Sequence, residues 1–280
     1  MTNNEFSRMR PSRVAAAAAI AMLAVAGAAD AAAIRVNPGF DGTEVPRNDD
    51  SFVGPVGLGF SIDFYGVPRS TAFVNNNGNI TFDQGLSTFT PFNLTSTARQ
   101  IIAPFFADVD TRSAGEPVRY GQDTVDGRPA FGVNWIDVDY FSSSAAHTNR
   151  NSFQLVLIDR SDINPGDFDF EFNYDQIQWE TGQASGGNPS GLGGSSARAG
   201  FSNGTGDPGT AFELAGSAIN GAFLDGGPNA LISNRLNSNV DGRYVFRVRN
   251  GRVEIPEPGS LALLGLGLAG LGLARRRKAS

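Results

Sequence analysis

The chain has 280 residues, 28 Asp plus Glu against 22 Lys plus Arg, and no cysteine, which excludes disulfides, thiolate chemistry and cysteine-based metal sites. The formal net charge of −6 understates the acidity of the central part: residues 34–255 hold 15 Arg, no Lys and 25 Asp plus Glu, a net charge of −10. Such a body has no basic patch with which to displace counterions from nucleic acid phosphates, and its stability must come from burying Phe and aliphatic side chains.

Residues 1–33 read as a secretory signal peptide. Arg8, Arg10 and Arg13 form the charged region, residues 14–26 the apolar one, and Ala31-Ala32-Ala33 a small-residue cleavage site, with Ala29-Asp30-Ala31 as a competing one. The stretch from 34 to 255 suffices for one sizeable domain with its own core. The expected fold is mainly β, a single antiparallel β-sandwich-like domain with short helical turns.

After a Gly/Pro-punctuated lead at 54–59, Phe60, Ile62 and Phe64 alternate with polar residues as in a half-buried strand ending at Gly66. Residues 72–82 predict a hairpin around Asn75-Asn76-Asn77-Gly78, because Asn and Gly tolerate positive φ; a run of Asn at a loop tip can also bind sugars. A dense apolar run from Ile101 to Ala107 exits into Asp108-Val109-Asp110-Thr111-Arg112. In residues 131–141 the apolar parity switches between Trp135 and Ile136, which predicts a β-bulge. Residues 151–160 have the continuous apolar centre of a strand buried on both faces. Phe168, Phe170, Phe172 and Tyr174 alternate with Asp167, Asp169, Glu171 and Asn173, giving one aromatic face and one acidic face expected to be wet, and a second bulge is expected near Asp175-Gln176. Residues 182–196 read as a flexible Gly/Ser/Asn connection, 197–201 and 244–249 as further strands, and 229–236 as one or two helical turns after Pro228.

Three carboxylate groupings are candidates for chemistry. Asp108 and Asp110, two apart on a strand, project to one face. They can ligate a hard cation such as calcium, act as an acid/base pair, or bond the backbone of the following turn and pair with Arg112. Asp137 and Asp139 form a similar pair, and Asp167, Asp169 and Glu171 suit a wet face or, with help from a loop, a cation. A secreted polysaccharide hydrolase is the enzymatic alternative, but paired catalytic carboxyls come from separate segments about 5 to 9 Å apart across a sugar. His147, the one histidine, lies in a Ser/Ala loop without a Gly-x-Ser-x-Gly elbow, so a serine triad has little support.

The C-terminus has three parts: Pro256-Glu257-Pro258, an apolar run through residues 259–274, and Arg275-Arg276-Arg277-Lys278. The prolines stop a helix from running into the apolar segment. As a helix, residues 259–274 would be about 24 Å long at about 1.5 Å per residue, slightly short of a hydrocarbon core of about 30 Å but able to span a thinned one. The four cations act as a cytoplasmic stop, leaving the preceding residues outside the inner membrane. An ordinary uncleaved anchor would look the same to hydropathy.

The order and terminal placement of these parts resemble the PEP-CTERM sorting signal of Gram-negative bacteria. That resemblance implies recognition by an exosortase, cleavage near the Pro-Glu-Pro motif, and release to the cell surface or an exopolysaccharide matrix. Five further stretches occur in the order found in the nidogen-like (NIDO) extracellular domain. They are 60–66, Phe73 with the Asn turn to Phe82, Ile102 to Arg112, Asp175 to Gly182, and Tyr244 to Val248. Together they resemble that domain across roughly residues 51–249. The resemblance implies a non-enzymatic role in adhesion or biofilm matrix organisation, with an extracellular polysaccharide or matrix protein as partner. It carries no binding residues over to this chain. No cofactor is expected, apart from calcium at Asp108 and Asp110.

Overall fold

The computed structural model describes residues 33–112, 114–143 and 148–254. Of the expected signal peptide at 1–33 all but residue 33, together with His147 and the expected sorting signal at 256–280, lie outside the described residues. The strands are β1 (Thr43–Glu44), β2 (Phe52–Phe64), β3 (Val67–Asn75), β4 (Asn79–Thr81), β5 (Ile101–Phe106), β6 (Val109–Asp110) and β7 (Arg119–Val125). They continue with β8 (Arg128–Tyr140), β9 (Asn151–Asp159), β10 (Phe168–Ile177), β11 (Arg198–Ser202), β12 (Ala211–Glu213), β13 (Arg243–Arg249) and β14 (Arg252–Glu254). The helical content among the described residues is confined to short 3-10 turns at Pro38–Asp41, Leu94–Ser96 and Gln183–Ser185. No helix of the described residues is long and apolar enough to cross a membrane.

The fold is mainly β, in two antiparallel sheets. One has eight strands in the order β1-β7-β8-β9-β10-β13-β14, with β6 paired to β8, and the other has six in the order β12-β11-β5-β4-β3-β2. The core lies between them and is aromatic. Phe170 of β10 stacks on Phe246 of β13 at 4.8 Å and meets Phe201 of β11, in the opposite sheet, edge-on at 5.6 Å. Phe105 of β5 approaches Phe153 of β9 at 5.2 Å, and the Tyr174 hydroxyl donates across to the Pro104 carbonyl oxygen at 2.6 Å. Each fully buried Phe contributes about 1.5–3 kcal/mol of transfer free energy, so this aromatic layer supplies the stability that a cysteine-free domain cannot get from cross-links.

Both expected bulges are present. The β8/β9 register shifts between Trp135 and Val138, and the β10/β9 register between Tyr174 and Gln176. At the first, Asp137 takes a φ of 54°, a left-handed conformation that Asp tolerates better than most residues. The hairpin at residues 72–82 is also present, as β3 and β4. Strand β9 is buried on both faces because the segment ahead of β1 crosses the outside of the eight-stranded sheet, setting Phe40 against Val125, Ala130, Val156 and Ile158.

Other expectations are corrected. The Gly/Pro lead at 54–59 belongs to the thirteen-residue strand β2, which absorbs the irregular residues as register shifts against β3. The acidic face of β10 is not wet: Asp167, Asp169 and Glu171 are all buried. Arg35 clamps Glu171 with two contacts of 2.6 and 2.8 Å, while Arg160 and Arg249 reach Asp169 at 2.8 and 2.7 Å. Residues 229–236 form turns without a helix, and the connection at 182–196 is a bonded structure. Buried Glu180 anchors its far end, accepting from Ser196 Oγ at 2.7 Å and from the Phe223 backbone N–H at 2.6 Å.

Candidate cation site

The tip of the β3/β4 hairpin, Asn76-Asn77-Gly78, is buried at the end of the core, where a turn of this kind would ordinarily meet solvent. Gly78 is required there. Its φ is +72°, and a Cβ would stand 1.7 Å from the Phe105 carbonyl oxygen. Asn76 donates from its side-chain amide to the backbone carbonyl oxygens of Asp49 and Val109, both at 2.6 Å, while its backbone carbonyl oxygen accepts from Trp135 Nε1 at 2.9 Å. Asn77 accepts from the Val109 backbone N–H at 2.9 Å and donates to Asp50 Oδ1 at 2.9 Å. The Asn run is thus a scaffold clamping two segments, residues 48–51 and 107–112. It satisfies their backbone groups in a place water does not reach.

The same clamp is reinforced by Thr111. Its backbone N–H and its hydroxyl both donate to the Asn48 carbonyl oxygen at 2.9 Å, and its hydroxyl oxygen accepts from the Asn48 backbone N–H. Asn48 Oδ1 accepts from the Ser51 N–H at 2.8 Å, three residues on, which ties the start of the loop to its end. This fixes where Asp49 and Asp50 point. One carboxylate oxygen from each of Asp49, Asp50 and Asp108 comes within 4.8 Å of the others.

Asp108 and Asp110 have different fates. Asp110 takes the structural role: its Oδ1 accepts from the Arg112 backbone N–H at 2.9 Å, and its carboxylate binds the Arg112 guanidinium at 3.0 and 2.8 Å. Arg112 also reaches Asp49 Oδ2 at 2.7 Å and lies over the Phe141 ring. Asp108 turns to Asp49 and Asp50 instead. It is 1% exposed, and its Oδ2 has no hydrogen-bond partner among the described residues; Asp49 Oδ1 is likewise buried and unpartnered. Burial, and then the neighbouring charges of Asp49, Asp50 and Asp110, push the Asp108 carboxyl up to about 8. Burial, and then the charges of Asp110 and Asp50, push Asp49 up to about 6, and burial raises Asp50 against the Asn77 hydrogen bond and the Arg112 charge that lower it.

The arrangement has little use for acid/base work on a glycan. Gly182 packs so closely on Asp108 Oδ2 that a Cβ there would lie 2.1 Å away, leaving no gap for a sugar ring between the carboxyls. The Asp137/Asp139 pair is split by the β8 bulge: Asp137 is exposed, whereas Asp139 is buried against Arg150 at 3.1 Å. A three-carboxylate oxygen pocket open on the Asp49/Asp50 side is suited to a small hard ion. Asp49 and Asp50 escaped the sequence reading because they lie almost sixty positions before Asp108. The one local signal was the Asx-rich run Asn48-Asp49-Asp50 ahead of a strand.

The chain matches the family model of the nidogen-like domain over residues 70–250, and that of the PEP-CTERM protein-sorting motif over residues 254–278. It is 35% identical to human alpha-tectorin over 237 residues, 76% of this chain and 10% of the relative. Chicken alpha-tectorin is 33% identical over 248 residues, 80% and 11% of the two. The chain therefore spans about a tenth of the length of the curated relatives it matches. No solved structure matches it. The sorting motif marks an exported protein processed by an exosortase at the membrane, and the chain belongs to the nidogen-like domain family.

Proposed function

We propose that this protein is a non-enzymatic component of the cell surface or extracellular matrix of a Gram-negative bacterium. In this reading the signal peptide of residues 1–33 is removed on export. The segment 259–274 holds the chain in the inner membrane, Arg275, Arg276, Arg277 and Lys278 act as its cytoplasmic stop, and an exosortase cuts near Pro256-Glu257-Pro258. The released β-sandwich, residues 34–255, then acts in adhesion or matrix organisation by binding extracellular polysaccharide or a matrix protein. The observation that carries the reading is the junction itself: a nidogen-like domain ending at residue 250 passes into a sorting motif at 254. The carboxylates support a non-catalytic role, since each candidate pair is either tied to arginine or separated by the fold.

The test is to replace Pro256, Glu257 and Pro258 together by Ala and fractionate the host cells. The variant should stay with the inner membrane while the parent appears at the surface or in the medium. Release of the variant at the parental level would contradict exosortase processing.

A further inference from the structure

We infer that Asp49, Asp50 and Asp108 form a calcium site that fastens the loop ahead of β2 to the buried Asn hairpin and the β5/β6 corner. The geometry suits the ion. Oxygens on opposite sides of Ca²⁺ at about 2.4 Å stand about 4.8 Å apart, and the three carboxylates each offer an oxygen within 4.8 Å of the other two.

An acidic cluster alone would be unremarkable on a protein of this composition, but this one contains buried groups that lack a partner. Of the six buried, unpartnered side-chain atoms among the described residues, two are Asp108 Oδ2 and Asp49 Oδ1. Asp108 is sealed under Gly182, where water does not solvate it, and Arg112 is engaged with Asp110 and the rim of Asp49. Arg112 thus contacts only two of the four neighbouring carboxylates, Asp110 and Asp49, and a divalent cation supplies the missing positive charge.

The donors are all carboxylate oxygens, which selects a hard ion over the nitrogen- and sulfur-preferring transition metals. Calcium fits better than magnesium because the ligands come from two rigid segments, while half-buried Asp49 and Asp50 leave one side open for waters in an irregular shell. The Asn77 amide holds Asp50 Oδ1 and the Asn48/Thr111 pair holds the loop, so the ligands are preorganised.

The site stands apart from the question of what the domain adheres to, because purified protein and the ion alone are enough to test it. The released protein is stripped with chelator, desalted and titrated with CaCl₂ by calorimetry, with melting followed in parallel. Calcium should bind with one-site heats and raise the melting temperature, with Mg²⁺ giving a smaller rise. Asp108→Asn should weaken binding by at least about 100-fold and abolish the thermal shift, while melting no lower than the parent in chelator because a neutral amide of nearly the same shape replaces a buried carboxyl that lacks a partner. Asp50→Asn, at a half-exposed position that leaves the core untouched, should weaken binding even if Asp108→Asn folds poorly. Asp162→Asn, a surface carboxylate on the β9/β10 turn, should leave calcium affinity and the size of the calcium-induced melting shift as in the parent. Absence of heat and of a shift for the parent at millimolar calcium would overturn the proposal. So would equal responses in the parent, Asp108→Asn and Asp50→Asn, which would mean an adventitious ion only.

Discussion

Asp108 is a carboxylate with no donor on one oxygen, two acidic neighbours and a glycine pressed against it, so its charge depends on whatever else occupies the pocket. Gly182 is therefore as specific as the acids. Gly182→Ala should destabilise the domain by about 1–3 kcal/mol through overpacking and should blunt the calcium response, both measurable by urea denaturation with and without the ion. An unchanged response would place the ion elsewhere. At the opposite extreme of exposure, Asp162 is held down to about 2 by hydrogen bonds from Arg160 and Arg128. A carboxylate whose folded pKa is depressed adds stability above its ordinary pKa and loses it as pH falls through the folded value. The urea midpoint of Asp162→Asn should accordingly lie slightly below the parent at pH 5 and converge with it by about pH 2. The sequence singled out Asp108 because it ends a dense apolar run. It could not join Asp108 to Asp49 and Asp50, because that proximity is created by the Asn76 and Asn77 side chains bridging two distant segments.

Among the elements, those with a regular side-chain period were legible and those held by distant partners were not. Parity switches in β8 and β10 located both bulges, since one inserted residue moves every later side chain to the other face. The Asn-Gly turn was equally legible, but its burial was not, because burial depends on Trp135 and Phe105 closing over it. Strand β7, Arg-Tyr-Gly-Gln-Asp-Thr-Val, has no apolar alternation and forms because β8 offers it a complete ladder. The acidic face of β10 looked solvent-facing because its covering residue, Arg35, is 136 positions from Glu171. Removing one partner of such a buried pair strands the other. Glu171→Ala should cost about 3 kcal/mol, and this cost should persist in high salt because the pair is poorly screened. Gly78→Ala should cost at least about 3 kcal/mol, as left-handed strain adds to a backbone clash. A loss below 1 kcal/mol in either variant would mean that the corresponding contact does not hold its element in place.

At the scale of the whole molecule, an aromatic core between two sheets gives a cysteine-free exported domain its stability. The segment before β1 then closes the outside of the larger sheet. The last described strand, β14, ends at Glu254, and the sorting motif begins there, so the folded body and the processed tail meet without a long linker. In the proposed reading, cutting the tail there would free the domain intact, as an adhesive role requires. The most direct measurement is co-sedimentation of the released protein with extracellular matrix from its own host. The account predicts that the protein pellets with the matrix and that a calcium chelator releases it. Protein left in the supernatant with and without chelator would contradict the adhesive role.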